Sequence, residues 1–183
     1  QGLTDATVVR NEGWYFTQAG RYIERADKTS RLLDVRHASL AGHEPATQND
    51  ALGWSAILRS CSAWDGYKAL HGGRVEPKLV TEFLLLSEDF PRSVRFCVQQ
   101  LNTALRRISG VAEGRFSNDA ERHCGRLLAE LQFGTADEIF AHGLHRYIDE
   151  VQTKLNAVGD ALFQTYIFQH FSLQQEDEIR QQE

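Results

Sequence analysis

From about Thr4 to His37 the chain runs without a proline, and its apolar residues recur at helical spacing. At 100° per residue, Tyr15, Phe16, Ala19, Gly20, Ile23, Ala26 and Leu33 form one stripe, and Glu12, Asp27, Ser30 and Asp34 fall inside it. Trp14 and Leu32 share another side with Arg21 and Arg25. A helix of roughly 50 Å with apolar groups on two sides must pack against several neighbours. That requirement selects a helical bundle with this segment near its centre. Carboxylates facing those neighbours need cationic or hydrogen-bonding partners, because an unpaired buried charge is very costly. The pattern therefore predicts an interior charge network drawing on Glu12, Arg21, Glu24, Arg25, Asp27, Arg31 and Asp34. Removing Glu24 or Arg25 should then destabilise the fold strongly by orphaning a buried charge.

The rest of the chain continues the helical pattern. It predicts an all-α domain of about six helices, with a long first helix (about 4–37) and a long last one (about 136–171). Ala41–Pro45 ends the first helix. The second starts after Asn49, a candidate N-cap, carries Trp54, Ile57, Leu58, Cys61 and Trp64, and stops near His71–Gly73. Pro77 opens a short third helix ending in the apolar run Phe83–Leu86, for which a strand is the alternative reading. The fourth keeps three-four spacing from Val94 to Ile108 and closes at Gly110–Gly114. The fifth spans about Ser117–Gln132. Thr135 with Glu138 is a capping-box pair that starts the sixth, whose Leu144, Ile148, Val151, Leu155, Val158 and Leu162 form a heptad-type seam. Residues 172–183 are rich in Gln and Glu and read as a polar tail beyond a single domain of 1–171.

Composition narrows the function. The 183 residues are 42% hydrophobic and 25% charged, as in ordinary globular domains, and the length suffices for one well-buried core. A net charge of −5 argues against a dedicated nucleic-acid binder, which carries a basic face. No apolar run approaches the roughly 20 residues that cross a bilayer, and no signal-peptide pattern is present. Three cysteines, Cys61, Cys97 and Cys124, have an odd count and no metal-ligand spacing, so they read as small reduced core residues of a cytoplasmic protein. No P-loop, H-E-x-x-H, C-x-x-C or G-x-S-x-G signature occurs. The reading is accordingly of a chain without a cofactor, a bound metal or a standard catalytic centre.

Three constellations remain. His142, His145 and Asp149 share a side of the last helix at a spacing that could in principle hold a metal, but Glu138, Gln152, Asn156 and Asp160 share it too, and a solvated face is the better reading. Asp65 falls between Trp54, Leu58 and Cys61 on the inner side of the second helix, as an ion-pair partner for an arginine of the first helix or as a pocket carboxylate. Asp89–Ser93 is helix-start chemistry, and Arg92 with Ser93 is also a candidate anion site.

The run Gly20-Arg21-Tyr22-Ile23-Glu24-Arg25-Ala26-Asp27, preceded by Arg10–Trp14 and followed by Lys28–Asp34, resembles the signature of the bacterial alpha-E family, named for a predicted α-helical domain with a Glu-Arg motif. Trp54 with Leu58, Tyr67, Phe83-Leu84-Leu85 and Phe90–Val94 resemble the family's later pattern. The resemblance extends to about Phe171. Because family members carry a related Glu-Arg helix near their own N-terminus, and this chain has no methionine, it resembles their C-terminal portion. The resemblance implies a partner: a circularly permuted ATP-grasp ligase encoded nearby, often with a transglutaminase-like peptidase. It implies a role as a non-catalytic helical accessory, holding a substrate or docking on the ligase during peptide (amide-bond) modification. Two alternatives stand beside it. One is an enzyme using a buried Glu or Asp and the arginines on an anionic peptide-like substrate. The other is a bundle serving only structure or oligomerisation.

Overall fold

The computed structural model describes residues 8–40, 48–112 and 114–168. Eight α-helices occur among them, and no strand. They are α1 (Glu12–Leu40), α2 (Gln48–Ser60), α3 (Trp64–His71), α4 (Pro77–Leu86), α5 (Val94–Ser109), α6 (Asp119–Phe133), α7 (Ala136–His142) and α8 (Leu144–Leu162), followed by a π-helical turn, Phe163–Phe168. Four of these close a ring: α1 lies on α5, α5 on α6, α6 on α8, and α8 back on α1. The segment α2–α4 leaves the ring after α1 and returns to it at α5, with α4 seated against α1, α5, α6 and α7.

The ring forms because each member has one apolar face. On α1 that face is Ala19, Ala26, Ser30 and Leu33, all fully buried, so the first helix does occupy the core. Val94, Cys97, Val98, Leu101, Ala104 and Leu105 supply the face of α5. Leu144, Ile148, Val151, Leu155 and Val158 supply that of α8. The apolar run Phe83–Leu86 is α-helical and buried in all four positions, as a helix surrounded by others requires.

Caps fix where the elements begin. The Ser93 hydroxyl accepts from the Phe96 amide at 3.0 Å and starts α5. Asn118 does the same for α6 through the Glu121 amide. The Thr135/Glu138 capping box is complete. Each satisfies a helix-start amide that has no partner within its own helix.

The helix count and several boundaries differ from the sequence reading. The first helix begins at Glu12, because Asn11 Oδ1 accepts from the Trp14 amide at 3.0 Å and caps it there; residues 4–7 lie outside the described residues. The second helix already includes Gln48, so Asn49 lies within it, and it breaks after Ser60. Ser62 adopts a left-handed φ of 53°, and the Ala63 amide bonds back to the Leu58 carbonyl at 2.7 Å. The last helix breaks at Gly143, whose φ of 97° suits glycine and separates α7 from α8. Residues 41–47, 169–171 and 172–183, with the first loop, the end of the last helix and the tail assigned to them, lie outside the described residues.

Candidate functional site

The face of α1 opposite its buried stripe borders a groove of about 330 Å³. Arg21, Glu24, Arg25 and Lys28 line it from α1. Ser60 and Cys61 come from the end of α2, and Arg92 from the turn between α4 and α5. Four cations thus meet one carboxylate. Three of the cations stand on α1 and the fourth on the α4–α5 turn, which α1 itself ties down.

Two side chains of α1 grip the turn that carries Arg92. Arg25 Nη1 donates to the Pro91 carbonyl at 3.2 Å, with its guanidinium 5.4 Å from the centre of the Tyr22 ring. One turn on, Thr29, only 4% exposed, donates its hydroxyl to the Arg92 carbonyl at 2.9 Å. The same turn is braced internally: the Ser93 hydroxyl donates to the Ser87 carbonyl and the Ser93 amide to the Phe90 carbonyl. Ser93 is fully buried, and its hydroxyl is committed to this brace and to the α5 cap. Of the candidate anion pair, therefore, Arg92 lines the groove and Ser93 builds its support. The Arg92 side chain is exposed and makes no hydrogen bond or ion pair among the described residues.

The proposed interior network resolves into separate pairs. Glu24 is bound to Lys28 at 2.5 Å, with both side chains more than 60% exposed. The Lys28 hydrogen bond and charge hold the Glu24 carboxyl below its ordinary range, so it is ionised at neutral pH. Asp27 pairs with Arg31 at 2.8 Å; its other oxygen, Oδ1, is buried without a partner. Asp34 meets His145 of α8 at 2.7 Å. The hydrogen bond and charge of Asp34 raise the His145 pKa. Glu12 is exposed in the first turn of α1, where the helix dipole favours a carboxylate. A charge of Glu24 in water needs no interior partner, so the expectation that Glu24→Ala orphans a buried ion is corrected.

Asp65 is likewise not on an inner face. The break at Ser62 resets the register, and Asp65 stands exposed in the first turn of α3. His142, His145 and Asp149 do not converge either. Gly143 separates the two histidines; His142 bonds Glu150 at 2.9 Å while His145 turns to Asp34. No group of three or more metal-ligating side chains occurs among the described residues.

Cys61 forms part of the groove wall but is 2% exposed, and burial pushes its thiol up to about 11 against the opposing pull of Arg92. Burial pushes Cys97 and Cys124 up to about 12. All three are free thiols, and at neutral pH they are protonated, without the thiolate that a nucleophile or ligand requires.

A larger cleft of about 680 Å³ opens between α4 and α7. Its two cations are each paired, Lys78 with Asp137 and Arg95 with Glu88, and Glu76, Glu82 and Asp89 add further carboxylates to its lining. The groove beside α1, by contrast, is lined by four cations and one carboxylate. The sequence reading named Arg21, Glu24, Arg25 and Arg92 but missed Lys28, Thr29 and Ser60. Arg21, Arg25 and Lys28 stand at successive four- and three-residue steps, which puts three cations on one helix face. Ser60 carries no such signal, because only the path of α2 brings it near.

No helix among the described residues is long and apolar enough to cross a membrane. No curated protein and no solved structure matches the chain. A family model described as a predicted alpha-helical domain with a conserved ER motif matches residues 1–167, a span that holds two ER dipeptides, Glu24-Arg25 at the rim of the groove and Glu121-Arg122 at the start of α6. The chain belongs to the Alpha-E family.

Proposed function

We propose that the chain is a non-catalytic helical module that holds an anionic group of a peptide-like substrate, or of a partner enzyme, in the groove beside Glu24 and Arg25. One observation carries this reading: four cations from α1 and the α4–α5 turn face one groove that contains a single carboxylate. Arginine suits the task because its planar fork matches carboxylate and phosphate oxygens two at a time. As an acid–base centre the groove offers Glu24, which Lys28 keeps ionised, and this favours binding over proton transfer. Within the family context, the module works beside a circularly permuted ATP-grasp ligase in peptide modification, presenting the carboxylate that such a ligase activates. A transglutaminase-like peptidase is a further partner of the same system. The three buried free thiols support a reducing compartment.

The test pairs the full-length protein with its ATP-grasp neighbour. Co-purification and a change in the ligase's ATP turnover are expected, both weakened by Arg92→Glu, which reverses a charge on the groove without touching the core. A ligase that neither co-purifies nor changes its turnover overturns the accessory role. Wild-type behaviour of Arg92→Glu overturns the assignment to this groove.

A further inference from the structure

Further along the same face of α1 lies a second, smaller cavity of about 210 Å³, bordered by Trp14, Tyr15, Gln18 and Tyr22 of α1 and by Gln100 and Arg107 of α5. Trp14 and Tyr15 meet edge to face at 5.0 Å, with the Arg10 guanidinium 5.3 Å from the Trp14 ring. Tyr22 is held edge-on against Phe96 of α5. Gln18 is only 6% exposed, yet its amide has no hydrogen bond among the described residues and borders the cavity. A nearly buried amide without a partner is an open hydrogen-bonding position.

This cavity and the cationic groove are parts of one track. Trp14, Gln18, Arg21, Arg25, Lys28 and Leu32 follow one another at steps of four, three, four, three and four, and so lie within about 80° of arc on α1. The junction is a direct contact: Tyr22 borders the small cavity, and the Arg25 guanidinium of the groove lies over its ring. From Trp14 to Lys28 the track runs about 21 Å, the reach of about six extended residues.

We infer that the occupant of this track is an extended acidic peptide whose carboxylates lie along Arg21, Arg25, Lys28 and Arg92 and whose apolar or aromatic side chain seats among Trp14, Tyr15 and Tyr22. The inference rests on the reading of the groove given above, and adds to it a substrate class and a specificity position. Aromatic rings in the small cavity receive an apolar side chain edge to face. Gln18 and Gln100 provide both donors and acceptors, which match the alternating C=O and N–H groups of a peptide backbone. Glu24 decides against a nucleic-acid strand. Its carboxylate accepts from peptide N–H groups, whereas a phosphodiester backbone has no donor to offer it and only negative charge.

The full chain is titrated with fluorescein-labelled hexapeptides read by fluorescence anisotropy. Two carry four glutamates and a phenylalanine near either end. Controls replace phenylalanine by alanine or glutamates by lysines, and hexathymidylate serves as a competitor. The better phenylalanine peptide should bind about 10-fold tighter than its alanine counterpart, the step expected for seating one such side chain. Trp14→Leu, which removes a ring at the end of the track remote from Arg25, should reduce that advantage, whereas Tyr22→Leu, which also strips the ring beneath the Arg25 guanidinium, should reduce it and weaken the alanine peptide as well. Arg92→Ala should weaken both acidic peptides by the same factor. Equal binding of the phenylalanine and alanine peptides overturns the second subsite and leaves the anionic groove standing. Absence of binding by any acidic peptide overturns the groove and the inference together. Hexathymidylate that binds more tightly and displaces the peptide overturns the assignment of a peptide occupant.

Discussion

The hydrogen bond from Thr29 to the Arg92 carbonyl separates the stability of this protein from its proposed binding function. Thr29 is 4% exposed, and its 2.9 Å bond ties α1 to the turn that presents Arg92. Thr29→Val keeps the shape and the γ-branch while deleting the hydroxyl. No buried donor is left behind, and Arg92 is itself an exposed residue. The loss is therefore that of one ordinary hydrogen bond, about 1 kcal/mol. For a domain of this size it corresponds to a fall in Tm of about 2–4 °C. Thr29→Ser makes the complementary cut: it retains the bond and removes one buried methyl, again at about 1 kcal/mol. The two variants should thus have similar midpoints in urea at unchanged slope. They should differ in binding. With one of the turn's two ties to α1 lost, Arg92 is held less firmly over the groove, so the valine variant should bind an acidic peptide several-fold more weakly, while the serine variant binds like wild type. Equal binding by the two variants, or a valine variant that melts and binds as wild type, refutes the claim that this bond positions Arg92.

Other expectations follow from the same geometry. Glu24→Ala should leave the melting temperature unchanged, since its only ion pair among the described residues lies in solvent; a large loss of stability measured by calorimetry would restore a buried role. Ser93→Ala removes both the α5 cap and the brace to Ser87, and should lower stability by about 1–2 kcal/mol in denaturant titrations. His145 has a raised pKa in the folded protein, so its pairing with Asp34 stabilises fully below the unfolded value near 6.5 and fades as pH rises through the folded value. NMR titration should place His145 above 6.5 in wild type and return it towards that value in Asp34→Asn.

The fold was legible wherever periodicity and capping agreed. Pro77, the Thr135/Glu138 box and the seam from Leu144 to Val158 mark real elements because each is a local instruction. The breaks at Ser62 and Gly143 were not legible, since apolar spacing runs through both and a single left-handed residue leaves no trace in it. Charge assignments failed for a related reason. Glu24 with Lys28 and Asp27 with Arg31 stand four apart and are satisfied along α1 itself. The sequence reading looked across to other helices for partners that the same helix already supplied. Arg21, Arg25, Trp14 and Leu32 were correctly placed on one side. That this side is a groove depends on where Ser60 and Arg92 arrive, and their positions are set by tertiary packing.

The excursion of α2–α4 out of the four-helix ring has a consequence for motion. Arg25 and Thr29 attach its returning end to α1 by two bonds to carbonyls, and its departing limb contributes Ser60 and Cys61 to the opposite wall of the same groove. Partial opening that lifts either limb from α1 takes the groove apart. A ligand held between α1, Ser60 and Arg92 binds only the closed form. It should therefore slow amide hydrogen exchange in both limbs and leave exchange in α6 and α8 unchanged.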